Sequence, residues 1–148
     1  TLDILYFSNE QGCSVSAYSL DTTAGTLSAI QTISTLPAGH TGRNTCSQIQ
    51  ISPSGKFLYV PNRGHNSVAG FSVDATTGRL TGIGQVSTEV VPSAFSLDPA
   101  SKFVFAAGSE SGRLASYRVD ADTGELTPLE TVPVGQRPMG VLITSLNG

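Results

Sequence analysis

The sequence predicts an all-β chain made of β-propeller blades, and three observations carry that expectation. One segment recurs three times, each copy holds four short apolar or alternating runs, and turn residues separate the runs (16 Gly and 8 Pro among 148 positions). A fixed period of about 20–50 residues is the mark of solenoids and propellers, and four strands in some 45 residues is the size of one blade. The copies open at Ile4, Phe57 and Phe103. Pro53 and Pro99, Val68 and Leu114, Gly78 and Gly124, and Pro92 and Pro138 each stand 46 residues apart. Val15 and Val68, and Leu27 and Leu80, stand 53 apart, so seven extra residues lie between Leu27 and Pro53, placed in the stretch Thr35–Asn44. The chain therefore divides near 53 and 99 within one partial propeller covering residues 1–148.

Each element follows from its residues. In the second copy, Phe57–Val60, Ser67–Val73, Leu80–Val86 and Ala94–Leu97 are rich in Phe, Tyr, Val, Ile and Leu and short enough for strands. The first strand of each blade is placed at Gln48–Ser52, Ala94–Leu97 and Met139–Ile143. The connections Ser52–Gly55, Asp74–Gly78 and Asp120–Gly124 combine Asp, Ser, Pro and Gly as hairpins require. No run has helical periodicity of useful length.

Composition narrows the function classes. Charged residues make up 13% and apolar residues 39%, which argues against disorder. No apolar run approaches the ~20 residues that span a bilayer. A net charge of −3, with only eight Lys and Arg, disfavours nucleic acid and anionic membrane surfaces as partners. Cys13 and Cys46 are too few for a disulfide scaffold or a zinc site, and are read as small, half-buried residues of a reducing, cytoplasmic compartment. No metal and no cofactor are expected, since Glu10, His40 and His65 are scattered without ligand spacing.

Strands in an up-and-down blade alternate direction, so the loops sort onto two rims. One rim carries Asp21–Gly25, Ser52–Gly55, Asp74–Gly78, Asp98–Ser101 and Asp120–Gly124, repetitive sequences that turn geometry explains. The other gathers Asn9-Glu10, Asn62-Arg63-Gly64-His65, Ser109-Glu110, Glu89, Gln136-Arg137 and the insertion with His40 and Arg43. Irregular loops on a rigid scaffold are where binding residues sit, and an arginine fork suits a carboxylate or phosphate. Glu10 and Arg63 occupy the same repeat position, so they should converge near the channel mouth, either at a site or as an ion pair between blades.

The run Ile51–Asp74 carries a Ser-Pro-x-Gly hairpin, an aromatic-aliphatic strand, Asn62-Arg63-Gly64, and a Ser-Val strand ending in Asp. This pattern resembles the lactonase propeller family, which includes propeller-type 6-phosphogluconolactonases and fungal carboxymuconate lactonizing enzymes. It recurs more weakly at Phe7–Gly12, and Val134–Ile143 is similar to the close of such phosphogluconolactonases. The resemblance implies a seven-bladed ring, of which this chain is similar to the C-terminal three blades only, and hydrolysis of an anionic sugar lactone such as 6-phosphogluconolactone. It implies catalytic roles for Glu10 as base and Arg63 as stabiliser of the oxyanion. His40, read as an exposed loop histidine, Arg43, His65 and Arg137 are the candidate substrate-binding residues; Arg137 fits a rim salt bridge equally well. Gln48 stands where the family often has Glu, and Ser93 where it often has Arg. A non-catalytic propeller binding a ligand or protein on this rim is the alternative reading.

Three blades cannot close a ring. The expectation is a homodimer of six blades, each Met139–Ile143 strand completing the blade that Ile4–Phe7 begins in the other chain. The competing expectation is a missing half that completes a seven-bladed ring.

Overall fold

The computed structural model describes residues 2–146 and contains eleven strands: β1 (Ile4–Asn9), β2 (Ser14–Asp21), β3 (Thr26–Ser34), β4 (Gln50–Ile51), β5 (Phe57–Asn62), β6 (Ser67–Val73), β7 (Leu80–Ser87), β8 (Pro92–Leu97), β9 (Phe103–Gly108), β10 (Arg113–Val119) and β11 (Leu126–Pro133). They form three antiparallel meanders, β1-β2-β3, β4-β5-β6-β7 and β8-β9-β10-β11, with no helix among the described residues. These are propeller blades, as the repeat predicts. The repeat reaches into irregularities too. A register shift recurs between the last two strands of each blade, at Ala17/Tyr18, Gly70/Phe71 and Ala115/Tyr117.

Two expectations change. The strand placed at Gln48–Ser52 shrinks to the two residues of β4. Its glutamines serve the neighbouring blade instead: Gln48 Oε1 accepts from the Phe95 N–H (3.1 Å) and Gln50 Oε1 from the Leu97 N–H (2.8 Å). The strand placed at Met139–Ile143 does not form, and Leu142 is 91% exposed. A strand needs a ladder, and that segment pairs with no strand here.

The core lies between blades. Val15, with Tyr6, Cys13 and Ile33, packs on Leu58, Val60, Ala69, Phe71 and Leu80. On the other side, Phe57, Tyr59 and Val68 meet Phe95, Val104, Ala106 and Tyr117. Repeat-equivalent tyrosines tether successive blades: Tyr6 OH donates to the Gly78 carbonyl and Tyr59 OH to that of Gly124, both at 2.7 Å. Burial pushes both phenols above the usual tyrosine range. Blade 3 has Phe105 at that position.

Candidate functional site

The first rim is built for turns. Asp21, Asp74 and Asp120 each accept two backbone N–H bonds within their own hairpin, at 2.8–3.0 Å. Those bonds, led by Ala24, Thr77 and Thr123, hold the three carboxyls below the usual aspartate range. Gly25, Gly78 and Gly124 end the hairpins at φ of 68°, 70° and 74°, where a Cβ is strained. The side chains here are occupied with their own backbone.

On the second rim, the β1–β2 and β5–β6 loops and the long β3–β4 connection meet around Asn62, which is fully buried. Its Oδ1 accepts from Thr35 Oγ1 (2.8 Å) and Asn44 Nδ2 (3.0 Å), and its Nδ2 donates to the Thr35 carbonyl (2.9 Å) and Ser67 Oγ (3.2 Å). A buried amide with every atom engaged specifies one loop arrangement. Asn44 extends the network, its Oδ1 accepting the N–H groups of Gly64 and His65, both at 2.9 Å. Gly64 lies so close to the insertion that a Cβ there would run into the Arg43 carbonyl oxygen. That contact explains the glycine after Arg63.

Glu10 and Arg63 come together as their shared repeat position predicts. Arg63 Nη2 donates to Glu10 Oε1 at 2.6 Å and also to the Cys46 carbonyl at 2.6 Å. Arg63 Nη1 and Glu10 Oε2 make no hydrogen bond among the described residues, and Arg63 Nε is buried without a partner. Beside this pair lies a cleft of about 730 Å³ lined by Gln11, Arg43, Asn44, Arg63, Gly64 and Glu110, with Thr45 and Val91. Arg43 forms no ion pair among the described residues, so its charge is open to a ligand. Arg137 lines a separate cleft of about 560 Å³, and Glu110 borders both.

The two histidines sit apart from this cleft's lining. His40, expected to be exposed, is half-buried: its ring packs edge-to-face on His65 with centroids 5.0 Å apart. The insertion folds back onto the rim instead of projecting from it. His65 Nδ1 is 2.8 Å from Ser67 Oγ, which ties it to Asn62. Sequence reasoning named Glu110 only as a rim residue and assigned nothing to Gln11. Yet Gln11, Gly64 and Glu110 are repeat equivalents one position after Glu10, Arg63 and Ser109. The same equivalence, read one residue further on, finds three of the cleft walls.

A family model described as a seven-bladed β-propeller lactonase matches residues 1–143. A 6-phosphogluconolactonase of Pectobacterium carotovorum is 36% identical over 142 residues, covering 96% of this chain and 43% of that protein. A crystal structure of a protein from Lactobacillus plantarum superposes with a TM-score of 0.87 at 32% identity, over 91% of this chain and 40% of that one. A periplasmic gluconolactonase of Pseudomonas aeruginosa superposes at 0.84 with 29% identity, over 90% and 37%. The chain thus spans less than half the length of these relatives.

Proposed function

The chain belongs to the lactonase family of seven-bladed β-propellers, and from that premise we propose that its loop rim hydrolyses an anionic sugar lactone of the 6-phosphogluconolactone kind. The observation that carries this reading is one cleft lined by Arg43 and Arg63, with the Glu10 carboxylate paired to Arg63 beside it. Hydrolysis adds water across the ring ester. Glu10, with Oε2 free of hydrogen bonds, takes a proton from the attacking water, and the open Nη1 of Arg63 faces the oxyanion that forms at the carbonyl. Arg43 holds the substrate's anionic group, His40 and His65 brace the loop behind it through their edge-to-face contact, and Arg137 serves the adjoining cleft. Loss of 6-phosphogluconolactone above its spontaneous rate tests this. An indistinguishable rate in a protein with its ring complete refutes it.

A second reading is a non-catalytic ligand-binding propeller. It is favoured by Arg63 Nη2 being already held by Glu10 and the Cys46 carbonyl. Glu10→Gln separates the two, since turnover collapses and product binding survives only if the rim is catalytic.

Ring closure needs further blades, from a continuing chain or a second copy. Phe103, Phe105, Leu114, Leu129 and Val132 repeat the residues Phe57, Tyr59, Val68, Ile83 and Val86 that bury themselves against blade 3. Leu129 and Val132 are exposed, so the face is built for another blade. A homodimer is the proposal for the isolated chain, and light scattering at the mass of one chain would overturn it. The cytoplasm is the proposed compartment, where thiols stay reduced; recovery of the protein from a periplasmic extract would contradict that.

A further inference from the structure

Cys13 and Cys46 are 33 residues apart in sequence, on the β1–β2 loop and at the far end of the insertion, yet the fold seats both in the Asn62 network. Cys13 Sγ lies 3.3 Å from both the Asn44 carbonyl and Asn44 Nδ2. Cys46 Sγ lies 3.2 Å from Thr35 Oγ1 and 3.7 Å from Asn62 Oδ1, the atom that also accepts from Asn44 Nδ2. One carbonyl, that of Glu10, is 2.9 Å from the Cys46 nitrogen and 3.9 Å from Cys13 Sγ. Asn44 Nδ2 contacts both Cys13 Sγ and Asn62 Oδ1, and Asn62 Oδ1 contacts Cys46 Sγ, so one short polar chain joins the two sulfurs. The backbone at Cys13 adds an independent observation. It adopts φ 47°, the left-handed region where the equivalent positions carry Asn66 (φ 53°) and Gly112 (φ 66°). A cysteine is poorly suited to that conformation, and an outlier of this kind points to a role for the side chain.

We propose that Cys13 and Cys46 are an oxidative modification site, a dithiol that a hydroperoxide closes into a disulfide directly beneath the Glu10–Arg63 pair. Cys13 is partly exposed and reachable by an oxidant, whereas Cys46 is buried, and burial raises its thiol. The Cys13 thiolate attacks the peroxide, forming the sulfenic acid and releasing hydroxide. The Cys46 thiol then displaces the sulfenic oxygen as water, and the S–S bond forms. Two thiols lose two electrons in total, and the peroxide gains them. A thiol reductant reverses the step. The bridge would staple the β1–β2 loop to the insertion at the residue whose carbonyl holds Arg63. The inference is independent of the lactonase reading.

Trypsin cuts after Arg43, between the two cysteines, so the experiment has a direct readout. The folded chain is treated with hydrogen peroxide, digested without reductant and weighed. The expected product is residues 1–43 joined to residues 44–56, lighter by about 2 Da and split by dithiothreitol. Closing a loop of this length should raise the melting temperature by about 10 °C. Cys46→Ser should remove the linked peptide and leave Cys13 to overoxidise. The proposal is overturned if wild-type Cys13 reaches the sulfinic acid while Cys46 still alkylates. It is equally overturned if the link forms only in urea, or fails to raise the melting temperature.

Discussion

The two rims are made by the same blades, yet they use their residues in opposite ways. The turn rim repeats one solution three times, Asp at the start of the hairpin and Gly at its end, and each Asp carboxylate spends its acceptors on its own backbone. On the loop rim the equivalent positions diverge to Glu10, Arg63 and Ser109, and Glu10 and Arg63 meet across blades. Repetition marks what the fold needs, and divergence at a converging position marks where a ligand can be read. The β3–β4 insertion sharpens the contrast, because it supplies Arg43, Asn44 and Cys46 to one rim and nothing to the other.

The largest stability effect should come from the hub of the loop rim. Asn62→Ala removes the four hydrogen bonds that join Thr35, Asn44 and Ser67 through one buried amide, and should cost about 3 kcal/mol in a urea titration. A loss as small as that of an exposed loop substitution would break the comparison. Gly64→Ala should cost about 2 kcal/mol, since the insertion's backbone blocks a side chain there. The turn rim should respond more weakly and in a graded way. Gly25→Ala meets open space and carries only the left-handed backbone penalty of about 1 kcal/mol. Gly124→Ala adds a clash with Phe57 and Ile83 across the blade interface, and should cost about 1 kcal/mol more. Equal losses at the two glycines would show that the turn, and not the interface, sets the cost.

The smallest effect should appear in acid. The folded-state pKa values of Asp21, Asp74 and Asp120 lie below the ordinary 3.8, so their stabilisation is present above that value and disappears as pH falls through the lowered ones. Replacing all three by Asn should lower the urea midpoint slightly at neutral pH and flatten its acid limb between about pH 4 and pH 2, so that variant and wild type converge in acid.

Much of the architecture was legible because it is local and periodic. Strand positions such as Ser67–Val73 and the Asp-to-Gly turns follow from residues adjacent in sequence. The Glu10–Arg63 contact was legible from the repeat alone, since equivalent positions on neighbouring blades converge. What lacks a repeat partner was not. His40 sits in the insertion, so no second copy could show that its ring packs on His65. The Cys13–Cys46 proximity depends on how those seven extra residues fold back. Gln48 and Gln50 look like ordinary strand residues until the next blade is in place to meet their side chains.

The exposed edges of the outer blades repeat this lesson in packing. Leu80 in blade 2 is 3% exposed and its equivalent Leu27 in blade 1 is 45% exposed; Val60 and Phe7 stand at 0% and 44%. Equivalent positions are buried where a neighbouring blade covers them and exposed where none does.

The central claim, that chemistry belongs to the loop rim alone, is tested most directly by comparing one carboxylate from each rim. kcat for 6-phosphogluconolactone hydrolysis is measured in the ring-completed protein for wild type, Glu10→Gln and Asp74→Asn. The account predicts a loss of about 100-fold or more for Glu10→Gln and wild-type turnover for Asp74→Asn. Wild-type turnover in Glu10→Gln, or an equal loss in both variants, would contradict it.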